Sequence, residues 1–291
     1  MKALFSSPDL QRQFEADGFV RMPLLAPGEV ADLMAAYQAV AAEHEKIGIP
    51  YITTSHSNNA DLIARVDEVL QRVMAPAIDR YLTDYRLLFG NFLVKMPVNH
   101  SETSPHQDIT FVDETQYASV NIWVALQDVD RQNGCMYFLK GSHAFMPGIR
   151  PTHEYTWAYE PHKDEIMTHS EVFTARAGDA FIFNHAVIHG SFPNGSGTPR
   201  VAAVVAAYPA EARLIHYYLP DADKNTLQRY GMTKEAYLHF KKGHPPAKGV
   251  FEGEEEYEFR HLGPQEFRAL LKPEKGRGSL LGRLFKKWGN G

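Results

Sequence analysis

The 291 residues are 44% hydrophobic and 22% charged, ordinary for a globular protein and enough to bury a substantial core. The formal net charge of −5 argues against nucleic acid as a partner, and the one cysteine, Cys135, excludes an internal disulfide and any thiolate-rich zinc site. No run of about 18 apolar residues is present, and the N-terminus lacks the unbroken apolar core of a signal peptide, so a reducing, cytoplasmic setting is expected.

In chain order, the first third reads as helical. "SPDLQRQFEADGF" offers Ser7 as N-cap, Pro8 at the first helical position and Gly18 as a stop. "VRMPLL" is a short extended piece. "APGEVADLMAAYQAVAAEHEKIG" spaces Val30, Leu33, Met34, Tyr37, Val40 and Ala41 as one amphipathic helix, and "NADLIARVDEVLQRVMAPAIDRYL" predicts another that breaks near Pro76. After residue 85 the texture changes. "YRLLFGNFLVKM", "ASVNIWVALQDV", "CMYFLKGS", "EVFTARAGDAFIFNHAVIHG" and "RVAAVVAAYPA" are β-branched or aromatic runs bounded by turn residues, as strands are. Helices first and short strands after imply an α+β fold with a mainly β core, a barrel or a double sheet. Residues 144–170 form a polar and aromatic insertion of the kind that often serves function.

One domain is expected over residues 1–271. It comprises a helical part (1–85), a β core (about 86–210) and a C-terminal extension (211–271). "TKEAYLHFKKG" reads there as a short helix capped by Thr233, and the acidic run "EGEEEYEF" as a solvated face. Residues 272–291 carry a net charge of +5, leaving about −10 on the rest. In this tail Leu280, Leu281, Leu284, Phe285 and Trp288 share helical spacing among basic residues, which suits an anionic membrane surface or an acidic partner; docking on the body or on a second subunit, or disorder, are the plainer readings.

Two constellations carry chemistry. In "SPHQDITF", His106 and Asp108 stand two apart, so on a strand both face one way and can reach one metal ion. A solvent-facing pair beside a turn is the plainer alternative. In "FIFNHAVIHGSFPNGSGTPR", the turn-rich "PNGSGTP" predicts a hairpin that puts His189, Ser191 and Arg200 on one face. His185 shares that parity. Four residues of strand would put it about 13 Å further from the hairpin end, so His189 is preferred and His185 is read as a polar bystander. His106, Asp108 and His189 then form a two-histidine, one-carboxylate set, which leaves one side of an iron(II) ion open. Arg200 suits the distal carboxylate of a chelating 2-oxo dicarboxylate, a description that 2-oxoglutarate fits.

The chain here resembles the phytanoyl-CoA dioxygenase-like branch of the iron(II)/2-oxoglutarate oxygenases, from about residue 8 to residue 208. "FEADGFVRMPLL", "VKMP", "HQD", "NIWVALQDVDRQNGCMYFLKGSH", "AGDAFIFNHAVIHGSFPNGS" and the arginine eleven residues after the histidine occur in the family's order. The resemblance implies a double-stranded β-helix (jelly roll) with N-terminal helices packed on it. It implies iron ligands at His106, Asp108 and His189, and 2-oxoglutarate contacts at Arg200 and Ser191. Trp123 and Asn91 stand where relatives line the co-substrate pocket, and Asn121 faces as Trp123 does by alternation. Lys140 replaces the proline of the family's usual "PGSH", which a turn tolerates. With Asp108 present, hydroxylation is expected over halogenation, which relatives perform with that ligand missing.

The implied cofactor is Fe(II), with 2-oxoglutarate and O2 as co-substrates and a small or carrier-linked organic molecule as substrate. A cupin-like hydrolase or isomerase and a silent binding protein on the same fold are the alternatives. His143 is expected to support a loop, and His153, His162 and His169 to be solvated or to touch substrate. Tyr155, Trp157 and Tyr159 alternate as packing residues or as an aromatic wall over the substrate.

Overall fold

The computed structural model describes residues 3–145, 148–152, 157–220, 225–241, 243–257 and 261–271. Tyr155, His153 and the basic tail lie outside them. The chain begins α1 (Pro8–Asp17), β1 (Phe19–Pro23), α2 (Pro27–Gln38), α3 (Ala41–Glu45), β2 (Tyr51–Thr53), α4 (Ala60–Ile78) and β3 (Tyr85–Lys95). It continues with β4 (Thr103–His106), β5 (Val120–Ala125), β6 (Met136–Phe138), α5 (Lys163–His169), β7 (Glu171–Phe173), β8 (Asp179–Asn184), β9 (His189–Ser191) and β10 (Arg200–Pro209). The last elements are β11 (Ile215–Tyr218), β12 (Thr226–Gly231), α6 (Lys234–Leu238), β13 (Val250–Glu256) and α7 (Pro264–Leu270). Among the described residues no helix is long and apolar enough to cross a membrane.

Helices and antiparallel sheets are combined in layers. The large sheet has the order β1-β8-β5-β10-β3-β2, the second β4-β9-β6-β7, and a third β11-β12-β13. Strand alternation divides the core in two. Val120, Ile122 and Val124 of β5, with Val201, Ala203 and Val205 of β10, pack against Leu33 of α2 and Leu62, Val66 and Leu70 of α4. Trp123, Ala125, Ala202 and Val204 face the other way, into a cluster with Met136, Tyr137 and Phe138 of the second sheet. Both faces of the large sheet are therefore covered, and every residue of β10 is buried. That accounts for the continuous apolar run "VAAVVAA" where a half-exposed strand would alternate.

Gly18, at φ +83°, ends α1 as its position predicts, and Thr233 Oγ1 accepts from the Ala236 N–H at the start of α6. Three expectations are corrected. The helix predicted from residue 26 to 48 stops at Gln38, and α3 then buries His44 beside Tyr37 and against Thr54 Oγ1, 3.0 Å away. Pro76 does not break α4. It sits in the last turn, and the Arg72 carbonyl it leaves unbonded belongs to an exposed residue that water can serve. The described acids of the run "EGEEEYEF" lie on strand β13 and are exposed or half-exposed, as a solvated face would be, with Glu252 beside Arg213 and Glu255 beside Arg229.

The third correction concerns the hairpin, which does not form. β9 pairs with β4 and β6, whereas β10 pairs with β3 and β5 in the other sheet. The turn-rich segment is a crossing between sheets, anchored by buried Asn194. Its amide donates to the Lys95 and Thr198 carbonyls, 2.9 and 2.8 Å away, and its N–H to Ser101 Oγ.

Candidate metal and co-substrate site

The two histidines meet through strand pairing. His106 at the end of β4 lies directly opposite His189 at the start of β9, and Thr103 opposite Ser191. Gly190 permits the approach: a Cβ there would stand 2.2 Å from Tyr137 Oη and 2.6 Å from the Thr103 carbonyl. The imidazole centroids are 4.3 Å apart. Each Nδ1 lies by a main-chain carbonyl, His106 at 2.9 Å from Ser104 and His189 at 3.0 Å from Val187. An N–H there donates to the carbonyl and leaves Nε2 as the lone-pair nitrogen, the tautomer a metal ligand needs. The two Nε2 atoms stand 3.8 and 3.9 Å from the two carboxylate oxygens of Asp108. One ligand atom from each of the three residues lies within 4.8 Å of the others.

Asp108 does not reach this position by strand alternation, because β4 ends at His106. Its loop is held instead by an N–H donated to the His185 carbonyl (2.9 Å) and by Asn121 Nδ2, which donates to its Oδ2 at 2.8 Å. His185 is likewise not on a strand: β8 ends at Asn184. Its ring is buried against Phe111, with Nδ1 2.7 Å from Ser119 Oγ. It supplies a carbonyl to the Asp108 segment and stands outside the three-residue cluster.

Arg200 lies at the far end of the same cavity, which encloses about 360 Å³ and is also lined by Tyr51, Asn91, Thr103, Asn121, Trp123 and Ser191. Arg200 is 1% exposed, and its Nε and Nη1 make no hydrogen bond among the described residues. Nη2 stands 3.4 Å from the Gly134 carbonyl, and Cζ 5.5 Å from the centre of the Trp123 ring. An unpaired buried arginine is costly unless an anion completes it. Asn91 lines the cavity while its Oδ1 accepts from the Ser55 N–H.

Sequence reasoning missed Tyr51 and Lys95. Lys95 faces Arg200 directly across β3 and β10, and Tyr51 faces Lys95 across β2. Lys95 is fully buried, donates to the Ser101 carbonyl and has its Nζ 4.9 Å from the centre of the Tyr51 ring. The signal was present in "VKMP", since a lysine at the end of an apolar strand must be accommodated somewhere, but its partner strand was not legible.

Burial sets the charges. It drives the Lys95 amine down to about 6, with Arg200 adding to the effect, so Lys95 is mostly neutral at pH 7. Arg200, pushed down to about 10 by burial, stays charged. Burial also drives His189 down to about 4, helped by His106. Burial alone would raise the Asp108 carboxyl, but the facing His189, His185, His106 and Arg150 outweigh it and hold it below its usual range. Neutral pH therefore presents a neutral His189, a carboxylate and one distal cation.

A pH dependence follows for the metal-free protein. Burial depresses His185, His189 and His216 to about 4 each. The unfolded chain takes up these protons near pH 6.5. Their contribution is thus complete above pH 6.5 and is lost as pH falls towards 4, by at most ~4 kcal/mol per pH unit. Thermal unfolding should shift down steeply from pH 7 to pH 5; an unchanged midpoint would contradict the neutral buried state.

In the insertion, His162 is buried, with Nε2 2.8 Å from the Leu262 carbonyl and its ring stacked on Phe267 of α7 at 4.5 Å. Tyr159 and Trp157 belong to that same cluster, so both pack the insertion onto α7 rather than walling the cavity. His169 Nδ1 stands 2.8 Å from the Glu165 carbonyl on α5, and His143 Nε2 3.2 Å from the Glu15 carbonyl on α1.

A family model described as Phytanoyl-CoA dioxygenase matches residues 14–202. A Danio rerio protein named phytanoyl-CoA dioxygenase domain-containing protein 1 is 28% identical over 124 residues, 39% of this chain and 42% of its own length. An Arabidopsis thaliana phytanoyl-CoA dioxygenase is 30% identical over 119 residues, 38% of this chain and 40% of its own. These matches thus span about two-fifths of the relatives' length. Two solved structures share the fold. The non-heme alpha ketoglutarate dependent carbocyclase SnoK matches with a TM-score of 0.53 at 22% identity, over 75% of this chain and 88% of its own. The epimerase SnoN, in complex with Fe3+, alpha ketoglutarate and nogalamycin RO, matches at 0.54 and 20%, over 84% and 96%.

Proposed function

The chain belongs to the phytanoyl-CoA dioxygenase family, and from that membership and the cavity's geometry we propose that it is a non-haem iron(II)- and 2-oxoglutarate-dependent dioxygenase. His106, Asp108 and His189 would hold the iron. Arg200, with Ser191 beside the triad and Trp123 at its flank, would hold the distal carboxylate of 2-oxoglutarate. The two facing sheets are read as a double-stranded β-helix, and residues 1–271 as one catalytic unit. The observation that carries the proposal is the pairing, in one cavity, of a two-histidine, one-carboxylate cluster with a buried arginine whose Nε and Nη1 find no hydrogen-bond partner among the described residues. A hydrolase or isomerase that works on this fold without 2-oxoglutarate requires no buried cation at that distance from the metal ligands, so Arg200 favours the dioxygenase reading over it.

Held by His106, Asp108 and His189, iron(II) would supply the chemistry that couples oxidation of a substrate C–H bond to decarboxylation of 2-oxoglutarate. One O2, one C–H bond and one 2-oxoglutarate yield a C–OH, succinate and CO2. The chain's own residues supply orientation and exclusion. Asn121 aims the Asp108 carboxylate, and the two main-chain carbonyls hold both imidazoles with Nε2 towards the cluster. Burial of Arg200 keeps water from competing for its donors.

The sheet register orders the cavity. Arg200 lies opposite Lys95, Ala202 opposite Leu93, and Val204 opposite Asn91. Phe89, two residues from Asn91 along β3, lines the cavity with Ile109 and Phe111. The end away from Arg200 is therefore apolar and aromatic, suited to an uncharged organic part of a small, lipid or carrier-linked substrate, with hydroxylation as the outcome.

Adding Fe(II) and 2-oxoglutarate without oxygen should produce a weak visible charge-transfer band. A folded, iron-loaded protein with no such band would defeat the proposal. A screen for substrate-stimulated succinate formation would then identify the substrate.

A further inference from the structure

Asp108 is the cluster member that no strand positions. Each of its three polar groups is hydrogen-bonded: the N–H donates to the His185 carbonyl, the carboxylate accepts from Asn121, and the main-chain carbonyl accepts from Arg150 Nε at 2.5 Å. Arg150 comes from the insertion, more than forty residues further along the chain. Its Nη1 and Nη2 form a bidentate pair with Glu114 at 2.7 and 2.6 Å, and Nη1 also lies 3.1 Å from the Gly148 carbonyl. The Arg150 main chain pairs with Thr110: its N–H donates to Thr110 Oγ1 at 3.0 Å, and its carbonyl accepts the Thr110 N–H at 3.2 Å.

One guanidinium thus closes the loop from Asp108 to Glu114 at both ends. The pair is shielded, with the Arg150 and Glu114 side chains 11% and 13% exposed. Charge-assisted hydrogen bonds in such surroundings are strong and directional. The fork matters: a lysine ammonium reaching for Glu114 has no second, rigidly placed donor for the Asp108 carbonyl. On its other side the segment is tied to the third sheet. The Thr152 N–H donates to the Tyr217 carbonyl at 3.1 Å, and Thr152 Oγ1 lies 3.0 Å from His216 Nε2.

Resting on the reading of His106, Asp108 and His189 as metal ligands, we propose that Arg150 is a positioning residue for the metal centre, setting the placement of Asp108 through its main-chain carbonyl while Glu114 fixes the guanidinium. Residues 150–152 thereby join the metal-bearing loop to β11. The loop's geometry depends on the insertion and the C-terminal sheet, although no described residue of either belongs to the three-residue cluster.

The test uses the full chain as wild type, Arg150→Ala, Arg150→Lys and Glu114→Gln. Circular dichroism and thermal midpoints establish folding. Anaerobic Fe(II) affinity is measured at saturating 2-oxoglutarate, and the Co(II) absorption spectrum reports ligand geometry without turnover. Arg150→Ala should weaken Fe(II) binding ~10–100-fold, the range for loss of a residue that orients a ligand, and shift the Co(II) spectrum. Arg150→Lys should recover only part of this. Glu114→Gln, which retains the Asp108 contact, should move both readouts less and in the same direction. Folded Arg150→Ala or Glu114→Gln proteins with wild-type Fe(II) affinity and an unchanged Co(II) spectrum overturn the proposal, even if their midpoints fall. If Arg150→Ala does not fold, Glu114→Gln decides alone by the same criteria. Failure of the wild type to bind Fe(II) or Co(II) instead overturns the underlying metal-site reading.

Discussion

His189→Ala should lose Fe(II) binding and turnover together, while His185→Ala should bind Fe(II) close to the wild-type affinity. The two residues are four apart and both buried, so a general effect of removing a buried imidazole would strike them alike. Their surroundings differ. His189 directs Nε2 towards Asp108 from a position opposite His106, with Nδ1 by the Val187 carbonyl. His185 engages Ser119 through Nδ1 and serves Asp108 only through its main-chain carbonyl, which alanine retains. Removing a partner that merely orients a ligand costs ~10–100-fold in metal affinity or activity; removing a ligand should exceed that range and leave turnover at background. His185→Ala opens a cavity beside Phe111, so its penalty should appear in the thermal midpoint. Anaerobic Fe(II) titration of both variants checks the pair. The reverse ranking would assign the metal to the wrong histidine.

The three candidate ligands and Arg200 were legible in the sequence, but the reasons they meet were only partly so. "PNGSGTP" announces a reversal of direction through its Gly, Pro and Asn content. It does not announce which strands receive the chain on either side, because turn chemistry is local and sheet pairing is not. The expected hairpin was therefore wrong, yet its two flanks still face one cavity because they belong to opposing sheets. Alternation could not have placed Asp108, which lies past the end of β4. Its position depends on Asn121, His185 and Arg150, which are 13 to 77 residues away along the chain. Lys95 and Tyr51 were hidden for a related reason: β2 is three residues long and carries no pattern of its own. By contrast α1, the start and apolar face of α4, and the apolar strands β3, β5 and β10 were read well, since hydrophobic period and caps are local signals.

Arg200→Met should separate co-substrate binding from stability. In the ligand-free protein the guanidinium is buried, charged and short of partners, with Lys95 directly across the strands. Exchanging such a cation for an apolar side chain of similar length relieves a desolvation cost, so the ligand-free variant should unfold no earlier than wild type. For 2-oxoglutarate the balance reverses. Losing one partner of a buried, hydrogen-bonded charge pair costs ~2–5 kcal/mol, which is roughly 30-fold to several-thousand-fold in affinity. Wild type at a hundredfold excess over Kd should gain ~2.7 kcal/mol of stability from the ligand, seen as a rise in midpoint that Arg200→Met should not show. Arg200→Lys should fall between them, since an ammonium keeps the charge but loses the fork that matches a carboxylate. Fe(II) affinity should be nearly unchanged in both variants, because His106, Asp108 and His189 are positioned by β4, β9 and the Asp108 loop rather than by β10. An Arg200→Met protein still stabilised by 2-oxoglutarate to the wild-type extent would mean that the co-substrate's distal carboxylate is held elsewhere.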